Sequence, residues 1–250
     1  MLHKRLVLTC YRAALREARR IDCQVTGLAV RAPVIVESGV AQHCWSPPTE
    51  EYRLDALREL LPGMLKMPRS ATFRRRELKR LIRDNYVRGC AATGEELSRL
   101  LDLAVAAVRV MKEQLQLQRC SSIGTTHGCR VECTTAFAGA STDGYTYMYR
   151  CRIENLGRDK VHLVGRHLVF RDERGATIKE VPRGSEGVVG CTPTLRPKDC
   201  FQYHSFINMP GPVGTMRGAY HITTKPQQAA IPSRTFDAVL APCKLLKDPT

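Results

Sequence analysis

Three groups of residues have the types and spacing to do chemistry. Gly184-Ser-Glu-Gly187-Val-Val-Gly190 has glycine spacing like that of a phosphate-cradling loop. Such a loop must follow a strand and open a helix, so that the helix N-terminus faces the anion. Cys191-Thr-Pro193 follows instead and starts no helix. We therefore read a tight β-turn there. Cys120, His127, Cys129 and Cys133 are zinc-compatible ligand types, but they lack the paired two-residue gaps of a finger or ribbon. No metal site is expected from them. The third group is cationic: Arg12, Arg16 and Arg19 on one segment, Lys79, Arg80 and Arg83 on another. Rows of this kind steer an acidic partner and set its register. A solvated face or an RNA contact would use the same residues. The seven histidines are scattered, and no nucleophile elbow, P-loop or carboxylate pair accompanies them. Catalysis is not expected.

The elements that position these groups fall into two blocks. Across 250 residues the net charge is +15. Before Ser121 there are 22 basic and 13 acidic residues, and after it 17 and 11, so both halves are basic. A body that meets polyanions fits this better than a basic tail. No apolar run approaches the ~20 residues of a membrane-spanning helix. Eleven cysteines at irregular spacing, an odd total and no secretory signal suggest reduced, semi-buried thiols.

Residues 1–119 read as helical. Leu8, Tyr11, Leu15 and Ala18 recur at steps of three and four, as one face of a helix over residues 2–20 requires. From Asp22 to Pro48 the pattern lapses. Thr49 is suited to cap a short helix carrying Leu54, Leu57 and Leu61. A further helix fits residues 71–88, with Leu78, Leu81, Ile82 and Tyr86 inside and Gly89 as its stop. Thr93 and Glu96 then have the spacing of a capping box for a last helix running to about Gln118, with Leu97, Leu101, Ala104, Val108, Met111 and Leu115 on one side. Three amphipathic helices make a bundle. Residues 120–135 are taken as a linker.

After that the period becomes two. Tyr145, Tyr147, Tyr149, Cys151 and Ile153 alternate with polar or small residues. Asn155-Leu-Gly157 turns into a strand from Val161 to Phe170, and Asp172 to Gly175 turns into another from Ala176 to Val181. Phe201 with Tyr203, Ala219 to Thr223, and Phe236 to Leu240 mark three more. Short strands with turn residues between them imply an antiparallel sandwich over residues 136–250 rather than a parallel sheet. The fold class is thus α + β in two domains. Pro212-Val-Gly214-Thr-Met216 reads as a bend where glycine takes an unusual backbone angle.

The series Tyr145 to Tyr149, Asn155-Leu-Gly157, Gly187-Val-Val-Gly190 and Gly214 to Tyr220 resembles the ApaG (DUF525) family. That family's fold is an immunoglobulin- or fibronectin-like β-sandwich. The resemblance marks Gly187, Gly190, Gly214 and Gly218 as its loop glycines and includes Arg166, for which a structural role is favoured over contact with an acidic partner. Ser185 stands where the family usually has glycine, which weakens any anion cradle.

Leu8-Thr-Cys10-Tyr11-Arg12-Ala-Ala-Leu15 and Leu81-Ile-Arg83-Asp-Asn-Tyr86-Val-Arg88 resemble the LYR-motif family of mitochondrial proteins. Here Cys10 replaces the signature leucine and Tyr86 stands where phenylalanine is common. An insertion from about Asp22 to Ser70 separates the two elements. The resemblance implies a three-helix adaptor that binds acyl carrier protein through Tyr11, Arg12, Arg16, Arg19, Lys79, Arg80 and Arg83. The acyl chain on the carrier's phosphopantetheine would enter between helices near Ala13, Ala14, Ala104 and Ala107; no cofactor would be held directly. A matrix location follows, and a retained rather than cleaved first helix is favoured, although residues 1–20 also fit a presequence apart from Glu17. Combined with the charge, this implies a mitochondrial ribosome subunit or assembly factor in contact with ribosomal proteins and rRNA. Two alternatives are an accessory subunit or assembly factor of a respiratory complex, and a phosphate- or small-ligand-binding sandwich.

Overall fold

A computed structural model describes residues 2–20, 28–29, 42–44, 72–183, 187–225 and 232–247. They divide into a helical unit within residues 1–32 and 49–118 and a β unit within residues 33–48 and 119–250.

In the helical unit α1 spans Leu2–Arg19, α2 Arg75–Arg88 and α3 Gly94–Arg119. The buried face of α1 is small: Cys10, Ala14 and Ala18 recur every four residues, flanked by half-buried Tyr11 and Leu15. Small residues at that spacing let two helix backbones approach closely. Leu8, expected on the apolar stripe, is instead 43% exposed. Leu78 and Ile82 of α2 meet this face, as expected, together with half-buried Leu81 and Tyr86. Helix α2 begins at Arg75 rather than residue 71, because Thr72–Phe73 (β3) pairs antiparallel with Leu28–Ala29 (β1). The Glu77 carboxylate accepts a 3.0 Å bond from the Arg74 N–H, satisfying one free donor at the helix start.

Arg88 ends α2, and Gly89–Ala91 form a single 3-10 turn. Gly89 lies at an ordinary right-handed φ of −81°. A Cβ there would sit 3.2 Å from Leu100 Cδ1 on α3, so the Leu100 side chain would have to shift slightly. Both Glu96 oxygens accept from Arg99, at 2.8 and 2.9 Å, so this carboxylate does not close the expected box with Thr93. Along α3 burial concentrates in the C-terminal half, at Ala107, Met111, Gln114, Leu115 and Leu117. Leu97, Leu101 and Ala104 are only half-buried. The expected helix after Thr49, with Leu54, Leu57 and Leu61, lies outside the described residues. No described helix is long and apolar enough to cross a membrane.

The β unit contains Gln42–Cys44 (β2), Ser121–Thr126 (β4), Cys129–Ser141 (β5), Gly144–Asn155 (β6), Lys160–Asp172 (β7), Thr177–Val181 (β8), Thr194–Leu195 (β9), Cys200–Met209 (β10), Val213–Lys225 (β11) and Thr235–Leu246 (β12). One sheet has the order β2-β10-β6-β5-β4; the other has β12-β11-β7-β8, with β9 also on β7. All the pairings are antiparallel. The expected strands are all present, and period-two alternation explains which residues point inward. Tyr147, Tyr149, Cys151 and Ile153 of β6 are buried, and Phe170, Met216, Tyr220 and Leu240 from the second sheet join the same core. Across that core the Tyr203 and Tyr220 hydroxyls bond at 2.7 Å, so two buried phenols satisfy each other.

Residues 120–135, expected as a linker, are largely strand. Strand β4 and the first half of β5 complete the first sheet, and their side chains fasten it to the edge of the second. Ser122 Oγ donates to the Ala241 carbonyl at 2.8 Å, Thr135 Oγ1 to the Lys244 carbonyl at 2.6 Å, and Thr126 Oγ1 accepts from the Val239 N–H at 3.2 Å. Part of the expected insertion belongs here too, because β2 pairs with β10 through Gln42–His204, His43–Tyr203 and Cys44–Gln202.

Candidate functional site

In the helical unit the half-buried start of α3 leaves an open apolar cleft of about 960 Å³ against α1, α2 and the 3-10 turn. Val7, Leu8 and Tyr11 contribute from α1, Tyr86 and Val87 from α2, and Leu97 from α3. A deeper cavity of about 180 Å³ adjoins it and shares Val7, Tyr86, Gly89 and Leu97. Its floor is made by Ala14, Ile82, Ala104, Ala107 and Met111. Three of the four alanines expected along such a slot therefore line it; Ala13 does not. The volume falls in the range of small-molecule sites. Leu8 and Val87, 43% and 64% exposed, explain themselves here as apolar residues at the mouth.

Tyr11 and Tyr86 pack with ring centroids 5.0 Å apart at 57°. The Tyr86 hydroxyl is buried and has no hydrogen-bond partner among the described residues. Burial, with a smaller contribution from Cys10, pushes its ionisation far above the usual phenol range, so the group is a neutral donor.

The structure distributes the seven expected carrier-binding residues unevenly. Tyr11 and Arg83 line the cleft. Arg12, Arg16 and Arg19 lie on one exposed face of α1, Lys79 is half-buried, and Arg80 is exposed and 3.8 Å from Asp84. An exposed pair at that distance contributes little. Arg12, Arg16, Arg19, Lys79 and Arg83 have no carboxylate partner among the described residues. Of these five only Arg83 lines the cleft.

The four glycines marked by the ApaG resemblance do two different jobs. Gly187 and Gly190 have φ of +66° and +75° and bracket a tight turn in which the Val188 N–H bonds the Cys191 carbonyl at 2.7 Å and the Cys191 N–H returns to Val188 at 3.1 Å. Gly184, Ser185 and Glu186 lie outside the described residues. Gly214 and Gly218 sit inside β11 with no unusual angle, contrary to the bend expected at Gly214. They are glycine because a Cβ would run into carbonyl oxygens of β7, those of Arg171 and His167. Arg166 lies against the core, its guanidinium 5.4 Å above the Tyr203 ring, a structural position.

The possible metal ligands do not converge. His127 is exposed on the β4–β5 turn, stacked edge-on 5.1 Å from Phe236, while Cys120, Cys129 and Cys133 are buried. Burial raises the Cys120 thiol to about 11 and Cys129 to about 12, while hydrogen bonds with Cys151 and Cys243, together with burial, raise the Cys133 thiol well above its ordinary value. Among the described residues no three metal-ligating side chains form a cluster.

One polar arrangement was invisible in sequence. His221 Nδ1 and Asp237 Oδ1 are 2.7 Å apart, and Asp237 Oδ2 accepts from Arg183 at 2.8 Å. Only the register of β11 against β12, which sets His221 opposite Asp237, creates it.

The ApaG domain description (DUF525) matches residues 138–224, wholly within the sandwich. The protein ApaG of Methylobacillus flagellatus is 39% identical over 119 residues, covering 46% of this chain and 87% of that one. The protein ApaG of Methylobacterium sp. (strain 4-46) is 45% identical over 96 residues, covering 37% and 72%. Among solved structures, the putative ApaA protein from Bordetella pertussis is 27% identical with a TM-score of 0.44, covering 51% of this chain and 99% of that one. Each likeness spans about half of this chain or less.

Proposed function

The chain belongs to the ApaG family through its sandwich, and on that premise we propose that it is a non-enzymatic adaptor in which the helical unit receives acyl carrier protein and the sandwich docks on a large assembly. The observation that carries this reading is the apolar cleft lined by Tyr11, Tyr86 and Arg83, with Arg12, Arg16 and Arg19 exposed elsewhere on α1. An acidic carrier helix is drawn to Arg12, Arg16, Arg19 and Arg83, and the acyl tail on its phosphopantetheine follows the apolar walls inward. Each methylene that leaves water there contributes up to ~0.8 kcal/mol. The resemblance of the α1 and α2 motifs to LYR proteins supports the same partner and a place in the mitochondrial matrix. The basicity of both halves supports a ribonucleoprotein as the assembly, hence a mitochondrial ribosome subunit or assembly factor held by phosphate contacts without base readout.

Charge reversal at Arg12 and Arg83 together tests the central claim. Both guanidinium groups lack a carboxylate partner among the described residues, so the double variant folds as the wild type does, with an unchanged circular dichroism melt. Acyl carrier protein should then vanish from the affinity-purified chain. Full recovery of the carrier with the double variant refutes the reading.

A further inference from the structure

We propose that the molecule entering the helical cleft presents an oxygen acceptor to the Tyr86 hydroxyl, so that the cleft selects an acyl thioester or a hydroxyacyl group over a plain hydrocarbon. This rests on the adaptor reading and specifies its ligand. Tyr86 lines both the outer cleft and the deeper cavity, so its ring stands where the two meet. Its hydroxyl is buried and unpartnered among the described residues. Among the neighbours Tyr11 presents a ring and Cys10 a weakly accepting thiol, while Asn85 donates its amide nitrogen to the Leu81 carbonyl at 2.8 Å and its carbonyl oxygen, though on the same cavity wall, is not bonded to the Tyr86 hydroxyl. The walls at Val7, Leu97 and Ala104 carry no side-chain acceptor. A buried donor left unmade is costly, whereas making the bond is modestly favourable, so a ligand oxygen at this depth gains on both counts. The chemistry is common to a thioester carbonyl and to a hydroxyl a few carbons further along the chain. The tilted Tyr11 ring, 5.0 Å away, packs on Tyr86 and restricts its ring, which turns a nonspecific slot into one that reads an oxygen.

Three probes separate these sources: S-dodecanoyl-pantetheine, its 3-hydroxydodecanoyl analogue, and the thioether S-dodecyl-pantetheine, which lacks the carbonyl. They are titrated calorimetrically into the full chain and into its Tyr86→Phe variant. The thioester should bind the wild type about five- to tenfold more tightly than the thioether, as expected for one hydrogen bond, and the difference should fall below about twofold in Tyr86→Phe. A preference confined to the 3-hydroxy probe assigns the acceptor to the chain hydroxyl and supports the proposal equally. Equal binding of all three to the wild type overturns it while leaving an acyl-binding cleft in place. Failure of every probe to bind removes the acyl-binding reading and this one with it. The melting temperature is an independent check: loss of an unpartnered hydroxyl leaves it unchanged or raises it, and a clear fall in Tyr86→Phe means that the hydroxyl has an internal partner and overturns the proposal.

Discussion

His204 and Asp237 give the β unit two separate acid responses. On β10, burial and the nearby Arg150 hold the His204 pKa at about 4, against 6.5 for a free imidazole. The unfolded chain takes up that proton between these values and the folded one refuses it. Stability is therefore complete above pH 6.5, declines as pH falls toward 4, and levels off below. Because His204 is only half-buried, the loss is about 1–2 kcal/mol, less than the full shift would give. His204→Gln should flatten this limb in urea unfolding measured at pH 7.5 and 4.5; an unchanged slope means that another group carries it. Asp237 acts with the opposite sign. Burial raises its pKa, but the bond to His221 and the charges of His221 and Arg183 outweigh that and lower it below 3.8. Its contribution is present above that value and disappears only as pH falls through the depressed pKa, so Asp237→Asn should alter the limb below about pH 4 and leave the His204 limb intact. Neither response was legible in sequence. A histidine in a predicted strand is unremarkable until register places Arg150 or Asp237 opposite it.

Among the elements, the turn from Val188 to Cys191 and the strand β11 show how glycine signatures mislead and inform together. Val189 sits at φ +52°, a region that β-branched residues avoid, and holds there because both turn hydrogen bonds and the buried Val188 fix the backbone. Strain of this kind costs about 1–3 kcal/mol. Val189→Asn, which tolerates the left-handed region, should raise the unfolding free energy by about 1 kcal/mol, and no gain in the urea midpoint would show that the surroundings absorb the strain. Gly218→Ala should do the reverse, costing at least about 2 kcal/mol, since a Cβ at the irregularity in β11 would collide with the His167 carbonyl. In sequence all four glycines share one pattern, and their positions were legible. The reasons differ, and close approach between β11 and β7 exists only once those strands pair. The helices were easier to read, because Leu78, Ile82 and Tyr86 announce a face by spacing alone. The exposure of Leu8 was harder, because the interior of α1 is made of Cys10, Ala14 and Ala18, which carry a weak apolar signal.

At the scale of the molecule, +9 and +6 on the two halves favour polyanion binding through many weak phosphate contacts. If rRNA is the partner, co-sedimentation should weaken steeply between about 50 and 200 mM salt and disappear after nuclease treatment. Association that survives both would point to protein contacts with a different assembly. The chain's own residues sufficed to establish the change from a period of 3.6 to a period of two, the basic character of both halves, and the cation rows beside Tyr11 and Tyr86. Those are properties of near neighbours, and near neighbours are what a linear pattern records. Tertiary structure alone decided that residues 121–135 join the first sheet, that Gln42–Cys44 adds a strand to β10, and that the start of α3 leaves a cleft instead of a filled core. Each of these depends on which distant segment satisfies a given backbone edge or apolar face. Many partners satisfy the same local pattern, and only packing in three dimensions chooses among them.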